Sequence, residues 1–267
     1  MTSPQSLKSD SDLHSSIVDG IPVLWSTPKP VLALGRLALW LPFLGGTKET
    51  VAPFLHRLSD VGYFAMSLDP WQHGERSTEA PHDLMAREFG GFRMHMWPIL
   101  GQTTLDALRI VYWAIDTHDL SSDVVAGGVS MGGDISVALA GVDPRVKRVA
   151  AIVATPDWTR PGMTQVGQPE ELVDQGSPSP YGEWLYTRLN PLTNPIVYRH
   201  APAIAFELGG DDTHVPPSGA ARFKEVLTAE NPAAAANITI TDHEGLDHLS
   251  AARNPKLEDR AFDWLIS

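Results

Sequence analysis

The chain has no cysteine among its 267 residues. That excludes a disulfide framework, a thiol nucleophile and a cysteine-based metal site. Basic residues are scarce: 20 Lys and Arg stand against 32 Asp and Glu, a net charge of −12. A surface of that sign repels phosphate backbones and anionic lipid, so neither nucleic acid nor membrane is expected as a partner. No run of 18 apolar residues occurs, so no membrane-spanning helix is expected. The first twenty residues are polar and rich in Ser and Asp, without the apolar stretch of a signal peptide. Histidines 14, 56, 73, 82, 95, 118, 200 and 214 lack metal-ligand spacing such as His-x-x-x-His. These absences suit a cytoplasmic protein that needs no metal or cofactor. A small molecule is its expected partner, with a homodimer the one assembly left open.

What is present is alternation. Short apolar runs at residues 21–25, 37–41, 63–68, 123–129, 146–154, 203–208 and 237–241 read as strands, the first as an edge strand. A further strand is expected within residues 31–34. Helical spacing falls between them at 48–62, 103–118, 133–140, 218–228 and 255–266. This order predicts an α/β fold with a doubly wound, mostly parallel sheet, whose ligands sit at the carboxyl ends of the strands. Residues 69–101 read as a long irregular loop. Residues 155–200 break the alternation, with seven prolines and several aromatics, and read as an inserted cap. The expected organisation is a polar segment, 1–18, and one domain, 19–267, with the cap at about 156–200.

One pentapeptide carries chemistry. Gly128-Val129-Ser130-Met131-Gly132 reads G-x-S-x-G between a strand and a helix. That setting suits a nucleophile elbow, a turn that lifts a serine hydroxyl above the sheet. The bare pattern arises by chance in roughly one chain in ten of this length. Alone, it could be a glycine-rich turn with Ser130 as a helix N-cap. An acid and then a histidine, each just beyond a later strand, would decide between the two readings.

Both follow. Gly209-Gly210-Asp211-Asp212-Thr213-His214-Val215-Pro216 comes after the strand at 203–208. Its Gly-x-x-Asp-x-x-Val spacing favours Asp212 as the carboxylate that orients an imidazole. An aspartate-rich turn without a catalytic role is the plain reading, and Asp157, after an earlier strand, is a weaker alternative acid. Asp242-His243-Glu244-Gly245-Leu246-Asp247-His248 offers two histidines. His243 lies at the strand end, too early to swing over the sheet. His248, beyond the glycine turn, is the better general base, since an imidazole can take a serine proton and return it to a leaving group. An oxyanion hole needs the N–H of Met131 and a second N–H from residues 42–46, with Leu44 the first choice and Phe43 the second.

These residues resemble the α/β-hydrolase superfamily, and within it bacterial esterases of the dienelactone-hydrolase and prolyl-oligopeptidase-like group. The resemblance runs from about residue 19 to the C-terminus. Besides the three motifs above, it rests on Asp19-Gly20-Ile21-Pro22-Val23-Leu24, on residues 39–49 around Pro42-Phe43-Leu44-Gly45-Gly46, and on Asp69-Pro70-Trp71-Gln72-His73-Gly74-Glu75-Arg76. It implies Ser130 as nucleophile, Asp212 as acid and His248 as base, with Met131 and Leu44 in the oxyanion hole. Such esterases usually carry His-Gly where this chain has Pro42-Phe43. Proline lacks an N–H and fixes φ, so a differently built hole is expected, with Phe43 narrowing the acyl side.

The expected function is hydrolysis of a carboxylic ester through an acyl-enzyme on Ser130. Phe43, Trp71, Trp97, Trp158 and Trp184, with Phe89, Phe92, Met94 and Met96, are candidates for a partly apolar substrate pocket, although most such side chains serve only to fill a core. The same three residues would also serve a thioester, an amide or a carbon–carbon bond. A ligand-binding protein without turnover is the reading from outside enzymology, and an intact Ser-Asp-His set speaks against it.

Overall fold

A computed structural model describes residues 13–267. In chain order its elements are β1 (Leu13–Val18), β2 (Ile21–Ser26), β3 (Leu37–Leu41), α1 (Ala52–Asp60), β4 (Phe64–Leu68), α2 (Pro81–Phe89), α3 (Phe92–His118), β5 (Val124–Val129), α4 (Met131–Val142) and β6 (Val146–Ile152). There follow β7 (Thr164–Gln165), β8 (Gln168–Leu172), α5 (Pro180–Leu189), β9 (Ala203–Gly209), α6 (Ser218–Glu230), α7 (Pro232–Ala236), β10 (Ile238–His243), α8 (His248–Ala252) and α9 (Pro255–Ile266). Eight strands form one sheet in the order β1-β2-β4-β3-β5-β6-β9-β10. Only β2 runs antiparallel to its neighbours; the other pairings are parallel. β7 and β8 make a separate hairpin.

Strand periodicity explains the two layers. In β3, Leu37, Leu39 and Leu41 point into one apolar core, and Ala38 and Trp40 into the other. β5 divides likewise, with Val124 and Ala126 on one face and Val125 and Val129 on the opposite one. A strand buried on both faces reads as a continuous apolar run, as these do. α3, α4 and α6 supply the first core through side chains such as Ile110, Ile135, Leu139 and Phe223. α1 and α9 supply the second through Leu55, Leu58, Phe262 and Leu265.

Three expectations are corrected. Residues 13–18, assigned to the polar segment, are the edge strand β1, so β2 is internal; residues 1–12 lie outside the described residues. Mostly exposed, with Leu13, Ile17 and Val18 at no regular spacing, β1 shows no apolar alternation to reveal it. Residues 31–34 form no strand, and Leu34 N–H bonds instead to the Gly62 carbonyl at 2.8 Å. Residues 69–101 are not an irregular loop. They hold α2 and the first turns of α3, which runs through Pro98. The buried stripe Phe92, Met96, Ile99, Leu100, Ala107, Ile110 and Ala114 outweighs the backbone bond that Pro98 cannot make. Gly101, read as the end of the loop, lets α5 approach: a Cβ there would lie 2.6 Å from Leu185 Cβ.

Candidate active site

Ser130 sits between β5 and α4 with φ 52° and ψ −120°. A non-glycine residue there is strained, and the surroundings must hold it in place. Ser130 N–H donates to the Ile152 carbonyl at 2.8 Å, and the Ser130 carbonyl accepts from Asp134 N–H at 3.0 Å. The flanking glycines are required by close approach. A Cβ on Gly132 would lie 2.1 Å from the Leu41 carbonyl oxygen, and one on Gly128 would lie 2.6 Å from Gly132. Ser130 occupies the N-cap position of α4, but its side chain caps no N–H of that helix.

The acid and the histidine come from adjacent strand ends. Asp212 Oδ1 accepts from the N–H groups of His214 (2.9 Å) and Val215 (2.7 Å). Its Oδ2 accepts from His248 Nδ1 at 2.7 Å. With Nδ1 donating to a carboxylate, the lone pair of the neutral ring is on Nε2. His248 opens α8, which Asp247 caps by accepting from Ser250 N–H at 2.8 Å. The two loops also pack back to back, as a Cβ on Gly209 would lie 2.5 Å from the Leu246 carbonyl oxygen. Asp157 is occupied elsewhere, with Thr159 N–H at 2.9 Å and the Arg222 guanidinium on its other oxygen. His243 pairs with Glu207 at 2.7 Å, and Arg260 holds the second oxygen of that carboxylate at 2.8 Å.

Ser130 and His248 line one cavity of about 700 Å³. Its walls are mostly apolar. Trp40, Phe43, Leu44 and Phe54 come from β3, its following loop and α1; Met85, Phe89, Phe92 and Met96 come from α2 and α3. The N–H groups of Phe43, Leu44 and Met131 donate to no partner among the described residues. Gly45, at φ 80°, turns the loop, and Gly46 N–H closes it on the Phe43 carbonyl at 2.9 Å. The loop is anchored by Asp69, at the end of β4, which accepts from Lys48 N–H and Nζ, both at 3.0 Å, and from Glu75 N–H at 2.9 Å. Burial alone would lower the Lys48 pKa, but Glu49, Glu75 and Asp69 outweigh it and hold the ammonium above its usual range.

The tryptophans are placed differently from expectation. Trp97 is buried and stacked on Tyr186 with ring centroids 4.1 Å apart, and Trp158 is fully buried. Trp71 lies under the Arg76 guanidinium, and Trp184 is exposed. None of the four lines the cavity, nor does Met94, whereas Phe43, Phe89, Phe92 and Met96 do. Of residues 155–200, Arg160 and Val166 reach its wall, while α5 packs on α3. Polar lining residues that escaped the sequence reading are Thr50, Arg160, His214, Arg253 and Glu258. Arg160 is buried against Asp134, which also accepts from Thr155 N–H at 2.7 Å. His214 stands edge-on to His248, 4.9 Å between centroids. Its place two residues after Asp212 was the available signal.

No protein-family model and no curated protein sequence matches the chain. Solved structures do. TT1662 from Thermus thermophilus aligns with a TM-score of 0.69 at 19% identity, over 96% of this chain and 98% of that one. The Pyrococcus furiosus esterase Pf2001 aligns at 0.63 and 15%, over 100% and 97%. The acylaminoacyl peptidase of Pyrococcus horikoshii aligns at 0.67 and 14%, over 98% of this chain but 41% of that one. The chain has the α/β-hydrolase fold. β5, β9 and β10 run parallel, so Ser130, Asp212 and His248, which follow them, lie beyond the same carboxyl end of the sheet. No helix among the described residues is long and apolar enough to cross a membrane.

Proposed function

We propose that the protein is a serine hydrolase that cleaves a carboxylic ester of small or medium size and partly apolar character. One observation carries this reading: a serine in a strained elbow shares a cavity with a histidine whose other nitrogen is bound to a buried carboxylate. Ser130 Oγ attacks the ester carbonyl as His248 Nε2 takes its proton. Asp212 holds the imidazole in the tautomer that leaves Nε2 free and stabilises the imidazolium that forms. The unpartnered N–H groups of Met131 and Leu44, with Phe43 as the alternative, stabilise the oxyanion. His248 then protonates the departing alcohol, and water, activated by the same nitrogen, releases the acid from Ser130.

The apolar lining of the cavity favours a hydrocarbon-rich acyl or alcohol group over a polar one. The direct test is labelling by a fluorophosphonate, which should modify the wild type and leave Ser130→Ala unmodified. Equal labelling of both would refute the assignment. Amide cleavage is the second reading, favoured by the likeness to an acylaminoacyl peptidase. A panel of 4-nitrophenyl esters of graded chain length separates the two, because an amidase of narrow substrate range would be labelled yet turn over none of them.

A further inference from the structure

His214 is a buried polar group that the chemistry above does not use. It forms part of the cavity wall, with its ring centroid 5.2 Å from that of Phe89 and 4.9 Å from that of His248. Its Nδ1 lies 2.8 Å from the Thr164 carbonyl oxygen. A carbonyl only accepts, so Nδ1 carries the proton and Nε2 carries the lone pair. Burial, then the His248 and Arg160 charges, pushes His214 down to about 3, so the ring is neutral across the working range of pH. Its backbone N–H is already given to Asp212, which fixes the residue from a second side.

Nε2 has no hydrogen-bond partner among the described residues, and it is not among the buried atoms sealed off without one. It is an acceptor with surface left open, on a residue that borders both the mostly apolar cavity and a smaller polar recess shared with Asp211 and Asp247. A ligand with no donor would cover it and leave it unsatisfied, which is costly. A ligand with a hydroxyl or N–H would restore the bond. The neighbouring cation Arg160 has no lone pair and cannot perform the same task.

We propose that His214 is a specificity-determining residue that accepts a hydrogen bond from a hydroxyl or amide N–H on the substrate. This rests on the cavity being the substrate site of the Ser130 hydrolase. It narrows the substrate class to apolar esters that carry one hydrogen-bond donor away from the scissile bond. Discrimination arises against the analogue lacking that donor, because a site built to bond a hydroxyl rejects what leaves its own group unpaired.

The test compares 4-nitrophenyl hexanoate with its 2-, 3- and 6-hydroxy analogues. At least one hydroxy ester should exceed the plain ester in kcat/KM by about 3- to 10-fold in the wild type. That ratio should fall to the intrinsic reactivity ratio in His214→Phe. It should be partly retained in His214→Gln, whose side-chain oxygen can replace Nε2. Ratios within one variant cancel any general damage to His248. A second arm needs no turnover: the corresponding methyl esters are titrated into Ser130→Ala by calorimetry, and the same preference should appear and then vanish in Ser130→Ala/His214→Phe. Hydroxyl preference without turnover refutes the esterase reading and leaves His214 as the recognition group. No preference for any isomer in either arm, or one unchanged in His214→Phe, overturns the proposal.

Discussion

Two carboxylate–imidazole pairs stand side by side at the ends of β9 and β10. Glu207 holds His243 at 2.7 Å, and Asp212 holds His248 at 2.7 Å, with the same offset of 36 residues. The local chemistry is nearly identical, yet the surroundings differ. Glu207 has a second partner in Arg260 of α9, and neither His243 nor Glu207 lines the cavity. Asp212 spends its other oxygen on two backbone N–H groups, and its histidine faces the cavity that holds Ser130. An acid–histidine contact is therefore a common stabilising device. It becomes a candidate for catalysis only where the free nitrogen meets a space and a nucleophile.

The comparison can be broken or sharpened, beginning with the largest effect. Asp212→Asn should lower kcat by about 10⁴-fold, through loss of the correct imidazole tautomer, with the fold intact by circular dichroism. Glu207→Gln, its counterpart in the other pair, should change kcat/KM less than about twofold while lowering the melting temperature. Equal losses of activity in the two variants would erase the distinction between the pairs. Arg160→Met isolates a third buried carboxylate. It strips Asp134 of its cation and should cost about 3–5 kcal/mol in urea unfolding, because the charge left behind is fully buried.

Glu88 is the limiting case of a carboxylate buried with no imidazole at all. Burial pushes it up to about 8 despite Arg87. Between pH 4.5 and 8 the folded chain keeps this proton while the unfolded chain releases it, so stability falls as pH rises through that window. Glu88→Gln should raise the melting temperature by a few degrees at pH 8 and leave it unchanged near pH 4. An identical pH slope in the variant would place the buried proton elsewhere. The smallest effect is expected from His243→Gln, with activity within about twofold of wild type and a modest loss of stability as Glu207 retains Arg260.

Legibility tracked the reach of the interactions. The central strands were readable because each is buried on both faces and so is apolar throughout. Gly128, Ser130 and Gly132 were readable because a strained turn admits few residue types at fixed spacing. Asp212 was preferred over Asp211 from spacing, and the backbone agrees: Asp211 N–H turns toward the Leu246 carbonyl, while the side chain of Asp212 faces His248. β1 was missed because its exposed side chains carry no pattern. α2 and the start of α3 were missed because Gly90, Gly91 and Pro98 imitate a loop. The four tryptophans were misplaced because an aromatic that fills a core and one that lines a cavity look alike in a sequence.

By itself the sequence determined the layer order, the elbow and the order of serine, acid and histidine, since each depends on local geometry or on which residue follows which strand. Only the tertiary structure decided that His243, passed over on position, has a carboxylate partner of its own in Glu207, away from the cavity. It likewise decided that α2 and α3 form much of the cavity wall, and that His214 lines it beside His248. Those outcomes depend on segments far apart in the chain, such as β3 and α9, whose Trp40 and Glu258 line the same cavity, and such proximity leaves no periodicity in the sequence.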